Sequence, residues 1–429
     1  MPPGAGGRRV IRPDALKLYR AATGLLEPIA PALLARRARQ GKEDPARLSE
    51  RLGRSERARP AGPLVWLHGA SVGESLSILP LVERLRAERP EVTVLVTSGT
   101  TTSAVLLAKR LPAGAIHQYV PVDAPGAARR FIARWKPDLA VFVESELWPN
   151  LLLEARVAGT RLALVSAKLS DRSFARWRQR PDAARQLLSA FDLILAQDAR
   201  AHERFEALGG KVAGEADLKF GAAPLPVDEP ALTVERARFP RPPVLIASTH
   251  PGEDAIALDA IAALADRPPV VLAPRHVERG PAIVALAQAR GLSAALRSQA
   301  PGESADIVVA DTLGEMGLWF RLAGTAVIAG SLVPDIGGHN PLEAARLDCP
   351  AISGPFVENW ASAFAGLEAA GGVVMTSPDG LGEALAADLA DPAAARDRAA
   401  RARSFVDSRD AEARAGLSRI LELVPKIAS

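Results

Sequence analysis

The sequence is poor in cysteine. Its 429 residues include one, Cys349, which excludes an internal disulfide and a cysteine-built zinc site and suits a reducing compartment. Long apolar runs are also missing: none approaches the roughly 20 residues that a membrane-spanning helix needs. The N-terminus has no uninterrupted apolar core of the secretory-signal kind. Aromatic residues make up 4% of the chain. The basic N-terminal segment holds just one of them, Tyr19, which leaves little for base stacking and argues against nucleic acid as a partner. No GxGxxG follows an early strand with a suitably placed acidic residue, so a dinucleotide oxidoreductase is a poor match. No Asp/His cluster has metal-ligand spacing, and neither a metal nor another cofactor is expected.

What is present describes a soluble globular chain, with 48% hydrophobic and 24% charged residues. Its length favours two domains. The net charge of +4 is uneven. Residues 1–60 hold 14 Lys and Arg against 6 Asp and Glu, a net +8, so the remainder sums to −4. A basic arm on a mildly acidic body points to an anionic partner. Within it, LKLYRAATGLLEPIAPALLARRAR mixes Leu and Ile with Lys and Arg, as a helix on an anionic membrane surface would. A plain helix packed on the body fits the composition equally well.

From residue 63, buried strands alternate with helical segments: LVWL, VTVLVTS, IHQYVP, LAVFVES, RLALVSA and DLILAQ. A Pro-rich stretch, GAAPLPVDEPALTVERARFPRPP, reads as a linker. The alternation then restarts with VLIAST, VVLAPR, ADIVVAD, TAVIAG and PAISG. This predicts an α/β protein of two Rossmann-like domains with parallel sheets facing a central cleft. The expected division is an arm over 1–60, one domain over 61–225 and a second over 226–429, whose final helix returns to the first domain. Such a layout suits a glycosyltransferase, a sugar-nucleotide epimerase or a two-domain binding protein.

Several strand ends carry polar turns, the place where open α/β sheets bind ligands. HGASVGE (68–74) follows LVWL and leads into a segment with helical spacing at Leu76, Leu79, Val82 and Leu85. Its Glu74 is either a first-turn helix residue or a functional carboxylate. LAVFVESELWPN ends a strand in Glu144 and Glu146, and DLKFG sets Lys219 just before the linker. In the second half, ASTHPGE (247–253) repeats the pattern of HGASVGE. Pro274-Arg275-His276 presents a guanidinium suited to phosphate. DTLGE places Gly314 and Glu315 at another strand end. GGHNPLEAA (337–345) reads as a capping box on Asn340, Pro341 and Glu343, with two glycines upstream leaving N–H groups free for an anion.

Taken in order, HGASVGE, ESELWPN, SAKLSDRS, ASTHPGE, APRHVER, DTLGEMG and GGHNPLEAA resemble the 3-deoxy-D-manno-octulosonic acid (Kdo) transferases of lipopolysaccharide assembly. GKEDPARLSERLG in the arm is similar to that family too, and the resemblance covers nearly the whole chain. It implies a GT-B fold and transfer of Kdo from CMP-Kdo to the lipid A precursor, lipid IVA, at the cytoplasmic face of the bacterial inner membrane. It implies that Glu74 is the general base, and that Glu144 and Lys219 stabilise the transition state. The CMP-binding segments it implies are Pro274-Arg275, Leu313-Gly314-Glu315 and Asn340-Pro341-Leu342-Glu343. Leu313 stands where the family usually has Met. An epimerase of the same architecture would not need the basic arm, and a non-catalytic nucleotide binder would not need Glu74.

Overall fold

The computed structural model describes residues 14–299 and 305–425. It divides into two compact units, Met1–Ala222 with Arg409–Ser429, and Ala223–Ser408. The first thirteen residues of the basic arm lie outside the described residues.

The first unit is built on seven strands: β1 (Leu64–His68), β2 (Thr93–Ser98), β3 (Ile116–Tyr119), β4 (Leu139–Val143), β5 (Arg161–Ala167), β6 (Leu193–Ala196) and β7 (Val212–Glu215). They form one parallel sheet in the order β3-β2-β1-β4-β5-β6-β7. Both faces are covered, which is why LVWL reads as an unbroken apolar run. Leu64 and Trp66 pack with Phe131, Trp135 and Phe142 on one face. Val65 and Leu67 pack with Leu81, Val94, Leu417 and Ile420 on the other. The strand order reverses between β1 and β4, so the turns leaving these two neighbours flank a crevice at the sheet's carboxyl edge.

The second unit repeats the plan with β8 (Val244–Thr249), β9 (Val270–Pro274), β10 (Ala294–Leu296), β11 (Ile307–Val309), β12 (Thr325–Ile328), β13 (Ala351–Ser353) and β14 (Val373–Met375). The parallel order is β10-β11-β9-β8-β12-β13-β14, reversing between β8 and β12.

All eleven expected strands are present. Three more, β7, β10 and β14, close the sheet edges, where short strands need no apolar run. The segment after HGASVGE differs from expectation. It splits into helices Val72–Ser77 and Leu79–Glu88, because Pro80 fits a first turn and not a helix interior. The Pro-rich stretch holds a helix, Glu229–Arg238, capped by Asp228. Its buried Glu235 pairs with Arg238 and with Arg297 at 2.7 Å, so this part belongs to the second unit's body.

The arm forms helices Ala15–Leu26 and Ala30–Arg39. They are fastened to the first unit: Leu16 and Leu34 are buried, Tyr19 donates to Asp123 at 2.9 Å, and Glu27 pairs with Arg130 and accepts from the Gly126 N–H. Leu18, Leu25, Leu26, Ile29 and Leu33 remain exposed, Leu25 by 81%. The packed face and the outward apolar face thus coexist on one arm. No helix among the described residues is long and apolar enough to cross a membrane.

Candidate active site

At the β1/β4 reversal, the chain turns through Gly69-Ala70-Ser71 into helix Val72–Ser77. A Cβ on Gly69 would meet the Glu74 backbone at 2.9 Å, so only glycine lets this turn close. Ser71 and Glu74 form a capping box, and the Glu74 Oε2 accepts from the Ala70 N–H at 2.6 Å and the Ser71 N–H at 3.3 Å. Its Oε1 makes no hydrogen bond among the described residues. Burial pushes the Glu74 carboxyl above the ordinary glutamate range, and the charges of Glu146 and Glu144 push it the same way. The two backbone donors offset this only in part.

Glu144 leaves β4 with a left-handed backbone, φ +59°, a conformation a glutamate adopts only when its surroundings hold it there. Its buried carboxylate bridges two ammonium groups: Oε2 lies 2.5 Å from Lys168 Nζ and Oε1 3.0 Å from Lys219 Nζ. Lys168 follows β5. Lys219 sits on the 3-10 turn Leu218–Gly221 after β7, where buried Asp217 accepts from its N–H at 3.0 Å. Two ammonium groups on one carboxylate leave the trio net positive. Neighbouring strand ends thus hold a carboxylate with raised proton affinity beside a fixed cationic cluster.

Behind these groups lies a buried relay. His68 Nε2 lies 3.1 Å from Glu146 Oε2, and its Nδ1 lies 2.9 Å from Thr97 Oγ1. The ionised Glu146 carboxylate can only accept, so the His68 Nε2–H donates to it, while Nδ1 faces the Thr97 carbonyl at 3.3 Å and the Thr97 hydroxyl, which also accepts from the Trp66 indole at 2.8 Å. The Trp148 indole donates to the same carboxylate. Burial pushes Glu146 up, but the hydrogen bond and charge of His68, with the Trp148 donor, outweigh it and hold the group below the usual glutamate range.

In the second unit, the β8/β12 reversal is spanned by Glu253. It is wholly buried, accepting from the N–H groups of His250 (2.9 Å), Gly330 (2.8 Å) and Leu332 (2.9 Å). ASTHPGE thus differs from HGASVGE: its helix starts at Glu253 behind Gly252, with no side-chain cap, and both oxygens of that glutamate accept backbone N–H groups. His250 and His339 stack, ring centroids 5.1 Å apart, with their Nε2 atoms 3.0 Å from each other. Burial, with the charges of His250 and Arg275, pushes His339 down to about 4.

The glycines of GGHNPLEAA hold left-handed backbone, φ +88° and +79°. The expectation of free N–H groups there is corrected for Gly338, which donates to the Gly330 carbonyl at 2.8 Å, and the neighbouring His339 N–H is likewise taken by the Ala329 carbonyl at 3.2 Å. The capping box is also replaced. The helix is the single turn Leu342–Arg346 behind Pro341. Asn340 accepts from the Leu342 N–H at 3.0 Å, and its side-chain amide donates to Glu343 Oε1 at 3.3 Å. Burial raises Glu343 above the usual range despite the Asn340, Arg346 and Arg275 partners.

Arg275, exposed beyond buried Pro274, forms no ion pair among the described residues, yet its charge acts on His250, His339 and Glu343. Leu342 is buried, so only its backbone can serve a ligand. Leu313 is exposed and Gly314 has φ +89°. Glu315 pairs with Thr312 and Arg297 and, among the described residues, makes no hydrogen bond with Arg275, Asn340 or Glu343. The structure thus joins Glu144 with Lys219, and Asn340 with Glu343, on which the Arg275 charge acts. Sequence reasoning did not single out Lys168 or the His68–Glu146 relay. Their only signal was position: a lysine, a histidine or a carboxylate beside the end of an apolar run.

Residues 46–222 match a family described as 3-Deoxy-D-manno-octulosonic-acid transferase (kdotransferase). The chain is 37% identical to the 3-deoxy-D-manno-octulosonic acid transferase of Rickettsia bellii, over 79% of this chain and 82% of that one. It is 31% identical to the transferase of Haemophilus influenzae, over 88% of this chain and 90% of that one. Among solved structures it resembles MurG of Acinetobacter baumannii, with a TM-score of 0.56 at 12% identity over 84% of this chain and all of that one. That likeness concerns the fold alone, which is of GT-B type. The sequence relatives carry the function further, and on them this glycosyltransferase chain belongs to the 3-deoxy-D-manno-octulosonic acid transferase family.

Proposed function

We propose that the chain moves Kdo from CMP-Kdo to a hydroxyl of the phosphorylated lipid A precursor, without a metal, at the cytoplasmic face of the inner membrane. The observation that carries this reading is Glu74, half committed to its own turn, with burial and two neighbouring carboxylates raising its proton affinity. In the reaction the acceptor oxygen attacks the anomeric carbon of Kdo, and its proton passes to Glu74. The bond from that carbon to the CMP phosphate oxygen breaks, and CMP leaves with the electron pair. A positioned base of this kind contributes about 10²–10⁴-fold. Cations fixed in advance stabilise developing negative charge without reorganising, which is the role assigned to Lys219 and Lys168, with Glu144 holding both in place. The CMP moiety falls to the second unit, to Pro274-Arg275, Leu313-Gly314-Glu315 and Asn340-Pro341-Leu342-Glu343. There the Arg275 guanidinium suits the phosphate. The outward Leu and Ile side chains of the arm, with its basic residues, rest on the anionic bilayer that holds the acceptor.

The test is incubation of the full chain with CMP-Kdo, generated in situ, and detergent-dispersed lipid A precursor, read by mass spectrometry. A gain of Kdo on the lipid is the expected result. An isomerised sugar nucleotide without acceptor would make the chain an epimerase. CMP binding without turnover would make it a non-catalytic binder.

A further inference from the structure

Within the first unit, a pocket of about 350 Å³ lies beside the loop that carries Glu146. Leu16 and Tyr19 of the first arm helix wall it on one side, Trp148 on another, and Trp177 of helix Asp171–Arg178 on a third. Arg176 and Arg180 also line it, both exposed. Neither has an acidic partner among the described residues. The base, the lysine pair and the CMP segments leave this space unused.

We propose that the pocket takes the end of one acyl chain of the acceptor, and that Arg176 and Arg180 take an acidic group at the polar end of the same molecule. This rests on the acceptor being a phosphorylated amphiphile. The walls are mainly apolar and aromatic, and the volume falls in the range of small-ligand sites. A sugar ring would need many hydrogen-bonding groups. The one carboxylate here, Glu146, already serves His68 and Trp148. Guanidinium groups with no protein anion match a phosphate by charge and by planar geometry. The helix that supplies Leu16 and Tyr19 to the pocket also carries exposed Leu18, Leu25 and Leu26. One helix therefore carries both exposed apolar side chains and part of the pocket wall, so a chain leaving the membrane beside it meets the pocket on the same element. The pocket wall includes Glu146, whose charge acts on Glu74, so a chain held there lies beside the proposed base.

Ala15, on the pocket wall and only half-buried, allows the space to be filled from a helix end. In Ala15→Phe the KM for acylated acceptor should rise about tenfold relative to the KM for the deacylated phosphorylated disaccharide. Equal changes in both overturn the proposal. A second measurement needs no variant. Acceptor brominated along its chains should quench the tryptophan emission of the native protein more strongly than a phospholipid brominated at the same depth. No quenching, or equal quenching by the phospholipid, also overturns it. If the native protein transfers Kdo to neither acceptor, the reading of the reaction fails, and the quenching arm still decides the pocket.

Discussion

On the proposed reading Glu74 both caps its own turn and takes a proton, and it divides these tasks between its two oxygens. Oε2 holds the Ala70 and Ser71 N–H groups, leaving Oε1 for an acceptor hydroxyl. Glu74→Gln keeps the capping contacts, since glutamine serves a capping box as well as glutamate, and removes the base. Turnover should fall by about 10²-fold or more, while the melting temperature stays within a degree or two of the native value, roughly what a sub-kcal/mol change allows. Full turnover in this variant would remove Glu74 from the chemistry, and loss of folding would reduce it to a cap. The raised proton affinity gives the sign of the pH dependence. As the proposed base Glu74 acts only when ionised, so kcat/KM should fall on acidification with a midpoint above the ordinary glutamate value of about 4.3. The same shift means that the folded chain holds this proton more tightly than the unfolded chain. Glu74 therefore contributes stability that is present below the unfolded value and lost as pH rises through the folded one.

At the scale of elements, the arm joins two demands on one amphipathic pair of helices. Leu16 is in the core of the first unit, and Leu16→Ala should cost about 2–5 kcal/mol in chemical denaturation. Leu25 and Ile29 touch water instead. Changing both to Asp should leave the melting temperature nearly unaltered and weaken binding to anionic vesicles more than tenfold, from about 1.5–3 kcal/mol for each apolar side chain no longer inserted. Unchanged vesicle binding in a sedimentation assay would move the membrane contact elsewhere. The same elements show what could be read beforehand. The buried strands were legible because parallel strands covered on both faces cannot alternate. The composition of the arm left packing and membrane contact as rivals, and the structure packs one face on the first unit and leaves an apolar face exposed. Asp228 and Pro230 formed a legible helix start that Pro-richness disguised, and Pro80 marked the break after Glu74. Edge strands such as β10, AAL, carried no pattern to read. Lys168 and the His68–Glu146 pair escaped because their significance lies in contacts between strand ends far apart in sequence.

For the whole molecule, the reading divides labour between units: the base and the lysine pair in the first, the nucleotide in the second. Hydrogen exchange of the full chain with CMP should show protection around Arg275 and Asn340–Glu343 and little around Gly69–Glu74. Arg275→Ala should weaken CMP binding by roughly tenfold or more, the worth of a charge-assisted hydrogen bond. Protection confined to residues before Ala222 would overturn this division.

The long helix Pro392–Glu422 begins in the second unit, and its last turns supply Leu417 and Ile420 to the first unit's core. During synthesis, a ribosome makes the strands of the first unit early and must finish the entire second unit before these two side chains emerge. Domains that are continuous in sequence fold as they appear, whereas this one waits for its closing piece. The half of the enzyme that carries Glu74 is thus the last to be completed, and a nascent chain stalled before Leu417 would lack the seal over Val65 and Leu67. Such a chain would expose apolar sheet surface to quality control while its second unit was already whole.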